Sequence, residues 1–352
     1  MSHITPPSYT YSYIKIILLK GIIMNKNELR KLKEIKDFDE FIDSINPYYP
    51  DLIKKNYTAK EIEKVLNNTY LKLIGKILCH SPEGLSKFIK TLLLKYEIKN
   101  IKSIILGVIV EIDREDVIEN LYLIAEEYLG KKDFIEELYR KANLDEIQLY
   151  LKKSIYYEIV REGINYFKRY NETFVLEAFL DQIYYKKLLL MKNLLKKKES
   201  KIILPYIDYS IEIYNLKIIY RGIKNKINPD LLKKLLIDNY LFLNKQKIDF
   251  LLKSDDPKQI SSQFENILSK ERKLKSTCRT FNFDINQPIK SIEQIYINFF
   301  LKAPKNIIDN IEALTIFRIL ELLIKKEYEI KNYVLPRAIR INQLKYSSIN
   351  FL

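Results

Sequence analysis

A chain of 352 residues, 47% of them apolar, is long enough to bury two or three separate cores. Seven Gly, eleven Pro and no Trp, beside abundant Leu, Ile, Lys and Glu, exclude a sandwich or barrel, which needs many more turn residues, and point to an all-α fold. The net charge of +15 permits attraction to nucleic acid, anionic lipid or an acidic protein, but the lysines are spread along the whole chain like a compositional bias, and the densest run, Lys196-Lys197-Lys198, reads as a solvated helix end or loop.

In chain order, residues 1–9, with Ser2, Thr5, Pro6, Pro7 and Ser8, read as a disordered lead. Tyr13, Ile16, Ile17, Ile23 and Met24 form a helical stripe, and Leu29 to Ile45 another. Thr58 with Glu61 is a capping box that opens a helix through Ile62, Leu66, Tyr70 and Leu73. Ser81-Pro82 signals the next start, and the helix it launches runs to about Val110, with Leu85, Phe88, Leu92, Tyr96, Ile101 and Ile105 on one side and Lys87, Lys95, Lys99 and Lys102 on the other. Short acidic starts follow at Asp133 and Asp145, and Leu176 to Leu188 is a further helix. Pro205 is expected to precede a helix from Tyr206 to Gly222, with Gly222, like Gly107, suiting a bend or close packing. Asn228-Pro229 opens a helical stretch from Leu231 to Leu252, Ser276 to Gln287 reads as a loop, and Ser291 with Gln294 caps the helix after it. The last long helix runs from about Asp309 to Tyr333, where Pro336 is expected to kink or stop it.

One spelling recurs along this course: Glu97-Ile98-Lys99-Asn100, Glu212-Ile213-Tyr214-Asn215 and Glu329-Ile330-Lys331-Asn332, the glutamates 115 and 117 residues apart. A second landmark moves with it, a glutamate followed seven positions later by an aromatic, at Glu63/Tyr70, Glu177/Tyr184 and Glu293/Phe300. From the aromatic to the next core glutamate is 27, 28 and 29 residues. Two ordered landmarks repeated three times indicate triplication of a domain-sized unit, with repeats at 10–112, 113–227 and 228–352 and a pseudo-threefold arrangement. Each Glu and Asn of the core string falls within or beside an apolar stripe, where an unpaired carboxylate costs several kcal/mol, roughly, so each needs partners. Two readings follow: buried polar clamps that fix how each core helix packs, or three Glu/Asn pairs lining a shared socket.

Chemistry is sparse. There is no Gly-rich phosphate loop, Ser/His/acid set or acidic metal cluster, and the only histidines are His3 and His80. Three near-equivalent carboxylates suit a repeated structural role better than one active site, so the chain is read as no enzyme, with no cofactor and no metal; Cys79-His80 lacks the second half of a zinc site. Cys79 and Cys278 fit a reducing compartment. No run approaches the ~20 apolar residues of a membrane span, so a cytoplasmic location is expected.

The residues Leu92 to Ile101, Tyr184 to Leu188 with Asp208 to Gly222, and Lys326 to Asn332 resemble the C subunit of the archaeal and bacterial V-type (A-type) ATP synthases, the relative of the eukaryotic V-ATPase d subunit. The likeness extends from about Tyr11, whose Tyr-rich surroundings resemble that family's opening, to Leu344. The resemblance implies a helical funnel of three similar domains, peripheral on the cytoplasmic face of the membrane. It would sit on the rotor ring of proteolipid subunits, receive the central stalk in its mouth and couple ion flow to rotation without chemistry of its own. Arg221, Arg337 and Arg340, near repeat helix ends, are candidate partner contacts. The chain departs from the pattern at Pro336, in lacking a Gly after Asn332 and in its positive charge. The other readings are a basic helical-repeat scaffold and a nucleic-acid binder; the tyrosines at core spacing and the absence of a recognised module speak against nucleic acid.

Overall fold

A computed structural model describes residues 8–254, 256–302 and 308–349. The expected lead lies outside these as far as residue 7; Ser8 already caps the first helix, its Oγ accepting from the Tyr11 N–H at 3.2 Å. The described residues are all-α, with no strand among them. Two compact units divide the chain, Met1–Asn143 with Leu314–Leu352, and Leu144–Ala313.

The first unit holds α1 (Tyr9–Leu19), α2 (Lys26–Lys31), α3 (Phe38–Ile45), α4 (Ala59–Cys79), α5 (Glu83–Ile109), α6 (Arg114–Glu119), α7 (Leu123–Leu129) and α8 (Lys132–Tyr139). The second holds α9 (Leu144–Leu151), α10 (Tyr157–Tyr170), α11 (Thr173–Leu190), α12 (Lys197–Lys224), α13 (Pro229–Leu235), α14 (Lys245–Leu251), α15 (Pro257–Lys270), α16 (Lys275–Thr280) and α17 (Pro288–Lys302). The chain then forms α18 (Ile311–Glu329), a π-helical turn Ile330–Val334 and α19 (Leu335–Ile349).

The long helices α5 and α12 end alike. Glu111 and Lys226, four residues after Gly107 and Gly222, turn into the left-handed region at φ 56° and 55°. The amides of Ile112 and Ile227 then close back on the carbonyls of those glycines. Each glycine also lets a later helix approach: a Cβ on Gly107 would sit 2.6 Å from Val117 Cγ2, and one on Gly222 would overlap the Leu232 side chain. No glycine stands at the matching position after Asn332, and the backbone there runs on into α19.

Several boundaries differ from the sequence reading. Pro82, not Ser81, is the N-cap of α5, and Ser81 Oγ donates to the Ile77 carbonyl instead. Pro205 lies inside α12, where Ile202, Ile203 and Ile207 are all buried, so packing overrides the local penalty. Pro336 does not stop its helix, which runs on as α19. The Leu335 amide reaches five residues back to the Ile330 carbonyl, and this widened turn falls where a proline ring would otherwise collide with the preceding turn. The expected helix from Leu231 to Leu252 is broken between α13 and α14, the expected loop from Ser276 contains α16, and α17 starts at Pro288, with Ser291 Oγ accepting from the Asp284 N–H.

Candidate functional site

Glu97, Glu212 and Glu329 lie on or at the end of long helices α5, α12 and α18, and each is almost wholly withdrawn from solvent. Their surroundings are satisfied by different chemistry. Lys131 donates to both oxygens of Glu97, at 2.8 and 2.9 Å. Glu212 has no such cation among the described residues: its carboxylate accepts the backbone N–H groups of Leu241 at 2.6 Å and of Phe242 and Leu243 at 3.0 Å, with the Tyr296 hydroxyl as a further donor. Amides given to a carboxylate cannot also bond to carbonyls four residues back, so no helix interior runs through residues 241–243, in keeping with the break between α13 and α14. Burial pushes the Glu212 carboxyl up, against the lowering pull of Tyr296 and those amides. Glu329 accepts from the Met24 N–H at 2.8 Å, the Tyr49 hydroxyl at 2.6 Å and the Lys326 ammonium at 2.8 Å. Lys326 is itself buried, donates to the Ile22 carbonyl at 2.7 Å and lies 3.7 Å from the centre of the Tyr49 ring.

The asparagines separate into two kinds. Asn100 and Asn215 are fully buried, and each grips the backbone of one residue 22 positions downstream. Asn215 Oδ1 accepts from the Ile237 N–H and its Nδ2 donates to the Ile237 carbonyl, both at 2.9 Å. Asn100 Oδ1 accepts from the Tyr122 N–H at 2.7 Å; its Nδ2 reaches the Tyr122 carbonyl only at 3.5 Å and donates more closely, at 2.7 Å, to Glu126 Oε1. Asn332 is half-buried within the π-helical turn, and its Nδ2 donates to Tyr328 O one turn back at 3.1 Å. The wide turn has rotated this position off the register of the other two.

Glu126 is an additional acid in the first of these clusters, fully buried, with Oε2 unpartnered among the described residues. Burial and then the charge of Glu97 push its carboxyl up to about 8, against the Asn100 hydrogen bond and Lys131. Leu241 stands at the same distance from Asn215 as Glu126 does from Asn100, so the fold does not require an acid there.

Each core glutamate meets the entrance of a pair of short helices whose starts lie 12 residues apart: α8 and α9 at 132 and 144, α14 and α15 at 245 and 257, α2 and α3 at 26 and 38. Lys131 is the N-cap of α8. Leu243 and Met24 each precede an N-cap asparagine, Asn244 and Asn25. For Glu97 and Glu212 the pair follows in sequence, whereas for Glu329 it is supplied by the beginning of the chain.

Of the arginines singled out, Arg221 lies in the second unit, 3.6 Å from Glu177 and over the ring of Phe174 at 4.8 Å. Arg337 donates to the Ile35 carbonyl, and with Arg340, Asn332 and Lys33 it lines a pocket of about 290 Å³ in the first unit. Lys99, placed on the solvent side by its helical spacing, is half-buried between the rings of Tyr96 and Tyr122, at 5.4 and 5.2 Å. Sequence reasoning missed Lys131, Glu126, Tyr49, Tyr296 and Lys326. Only Lys326, one helical turn before Glu329, and the recurring 12-residue spacing of helix starts left a readable signal. Among the described residues no cluster of His, Cys, Asp and Glu suits a metal ion, and no helix is long and apolar enough to cross a membrane.

Comparison with known proteins gives one consistent result. The model of the family described as ATP synthase (C/AC39) subunit matches residues 15–335. The A-type ATP synthase C subunit of Methanosphaera stadtmanae is 23% identical over 97% of this chain and 86% of its own length. That of Methanosarcina acetivorans is 24% identical over 92% and 87%, and that of Methanocaldococcus jannaschii 22% over 98% and 86%.

Proposed function

The chain belongs to the ATP synthase (C/AC39) subunit family, and on that premise we propose that it is the non-catalytic rotor subunit that joins the central stalk to the membrane proteolipid ring of an A/V-type ATPase. It would be peripheral, at the cytoplasmic face, and built as a funnel of three similar helical domains, over residues 10–112, 113–227 and 228–352. The observation that carries this reading is the family match over nearly the whole chain, 15–335, onto relatives named as the C subunit of A-type ATP synthases.

The recurring geometry supports the mechanical part. A coupler transmits torque, so its helices must not slide or hinge against one another under load. The reading gives Glu97, Glu212 and Glu329 the role of buried clamps, with Asn100 and Asn215 beside them. Each glutamate ties a long helix to the start of a short-helix pair, and each of the two asparagines ties it to the backbone ahead of such a pair, through hydrogen bonds whose loss would leave buried groups unpaired. Asn332 would be the weak member of the set. The repeated glycine contacts to Val117 and Leu232 add close helix packing. In this reading Arg221, Arg337 and Arg340 are contacts to the partner subunits.

The test is attachment. Membranes carrying the ATPase are stripped of this chain, and the soluble head with its stalk is added back with and without it. The proposal expects the head to remain bound at the stalk position only with the chain present, and binding to loosen as salt rises; equal attachment in both cases would overturn it.

A further inference from the structure

The positions two residues before and after the core glutamates carry charge only in the first unit. They are Lys95 and Lys99 around Glu97, and Glu327 and Lys331 around Glu329; around Glu212 the same positions hold Ser210 and a buried Tyr214. Glu327 bridges two of these lysines, accepting from Lys95 at 2.9 Å and from Lys331 at 2.7 Å. Although burial alone would raise the Glu327 carboxyl, Lys331 and Lys95 hold it well below the usual carboxylate range.

Lys99 is left over. Its ammonium takes part in no hydrogen bond and no ion pair among the described residues, and lies over the faces of Tyr96 and Tyr122. Burial, then the like charges of Lys95 and Lys331, push it down to about 8, with only the more weakly acting Glu63 and Glu327 opposing. Ring faces stabilise a cation by about 0.5–2 kcal/mol but supply no hydrogen-bond acceptor for three N–H donors.

We propose that Lys99, framed by Tyr96, Tyr122, Lys95 and Lys331, is the receiving site for an acidic side chain of a partner protein, which completes there the lysine–carboxylate pairing that Glu327 makes beside it. A carboxylate laid on Lys99 satisfies its free N–H groups and cancels the repulsion among the three lysines. The framing rings favour a group presented on a protein surface, because they exclude water from the pair and strengthen it. The partner's identity as the central stalk rests on the function proposed above; the acid-binding property of the site does not.

The experiment separates the two. In the full chain carrying isotope-labelled lysine, the Lys99 side-chain resonance, assigned by its loss in Lys99→Gln, is followed by NMR while a polyglutamate peptide, and separately inorganic pyrophosphate, is added. In parallel, the purified central-stalk subcomplex is titrated with wild type, Lys99→Gln and the exposed control Lys90→Gln. The proposal expects polyglutamate to move Lys99 saturably and raise its apparent pKa while Lys90 stays put, and Lys99→Gln to weaken stalk binding by roughly tenfold, with Lys90→Gln unchanged. If polyglutamate moves Lys99 but the stalk does not bind the wild type, the acid site stands and the coupler reading fails. If the stalk binds all three forms equally and polyglutamate leaves Lys99 unmoved, the site is wrong while the coupler survives. Saturable movement with pyrophosphate alone also overturns the site as a receiver of protein carboxylates.

Discussion

Asn215 holds the backbone of Ile237 by both its polar groups, its side-chain amide accepting from the N–H and donating to the carbonyl at 2.9 Å each. Asn100 addresses the backbone of Tyr122 at the same interval of 22 residues, but Asn332, which completes the sequence pattern, bonds among the described residues only to Tyr328, one turn back. The three asparagines therefore differ in what their removal exposes. Asn215→Ala strands a buried N–H and a buried C=O and is expected to cost about 1–3 kcal/mol, whereas Asn332→Ala should cost less than ~1 kcal/mol. Urea unfolding midpoints decide this, and equal losses would contradict the distinction.

A pH dependence follows from Glu126. Its carboxyl is raised in the folded protein to about 8 from an ordinary value near 4.5. The native state therefore keeps a proton that the unfolded chain has already lost across that interval, and this contribution to stability is fully present below the lower value and lost as pH rises through the upper one. Glu126→Gln, which keeps the bond with Asn100 and cannot ionise, should flatten the decline. Thermal unfolding of both proteins between about pH 5 and pH 9 measures it; parallel curves would remove Glu126 as the cause.

The glycine contacts give a packing test. Gly222→Ala puts a methyl into the space held by Leu232 and is expected to destabilise by about 1–3 kcal/mol, and the double variant with Leu232→Ala is expected to lose less than the sum of the two single losses. The paired measurement matters, because simple addition of the two losses would mean that they do not share a contact.

Because Met24 and Ile22 serve Glu329 and Lys326, deleting the chain up to residue 24 should loosen a helix about 300 positions away. Amide hydrogen exchange is expected to quicken in residues 314–335 while residues 206–224, on α12, keep their protection. Unchanged exchange in α18 would show that the N-terminal segment is not part of that clamp.

How far the sequence carried this picture depended on distance along the chain. The repeated Glu and Asn, the capping box at Thr58 and the Asn228-Pro229 start were legible because their signals are local, written within one helical turn or one repeated string. Lys131, Tyr296 and Tyr49 were not, since they approach the core glutamates from 34, 84 and 280 residues away and no periodicity announces them. Local rules also misjudged Pro205, where the surrounding packing carries the helix through, and a single widened turn carries the chain on helically past Pro336. Lys99 was misplaced because helical spacing says which side of its own helix a residue occupies but not what lies against that side; here Tyr122 does.

The proposed coupling role is tested most directly by measuring ATP hydrolysis and ion transport together in membranes depleted of this chain and then resupplied with it. The coupler reading expects hydrolysis by the soluble head to continue while transport stops, and transport to return on adding the wild-type chain. Transport that persists undiminished without the chain would contradict it.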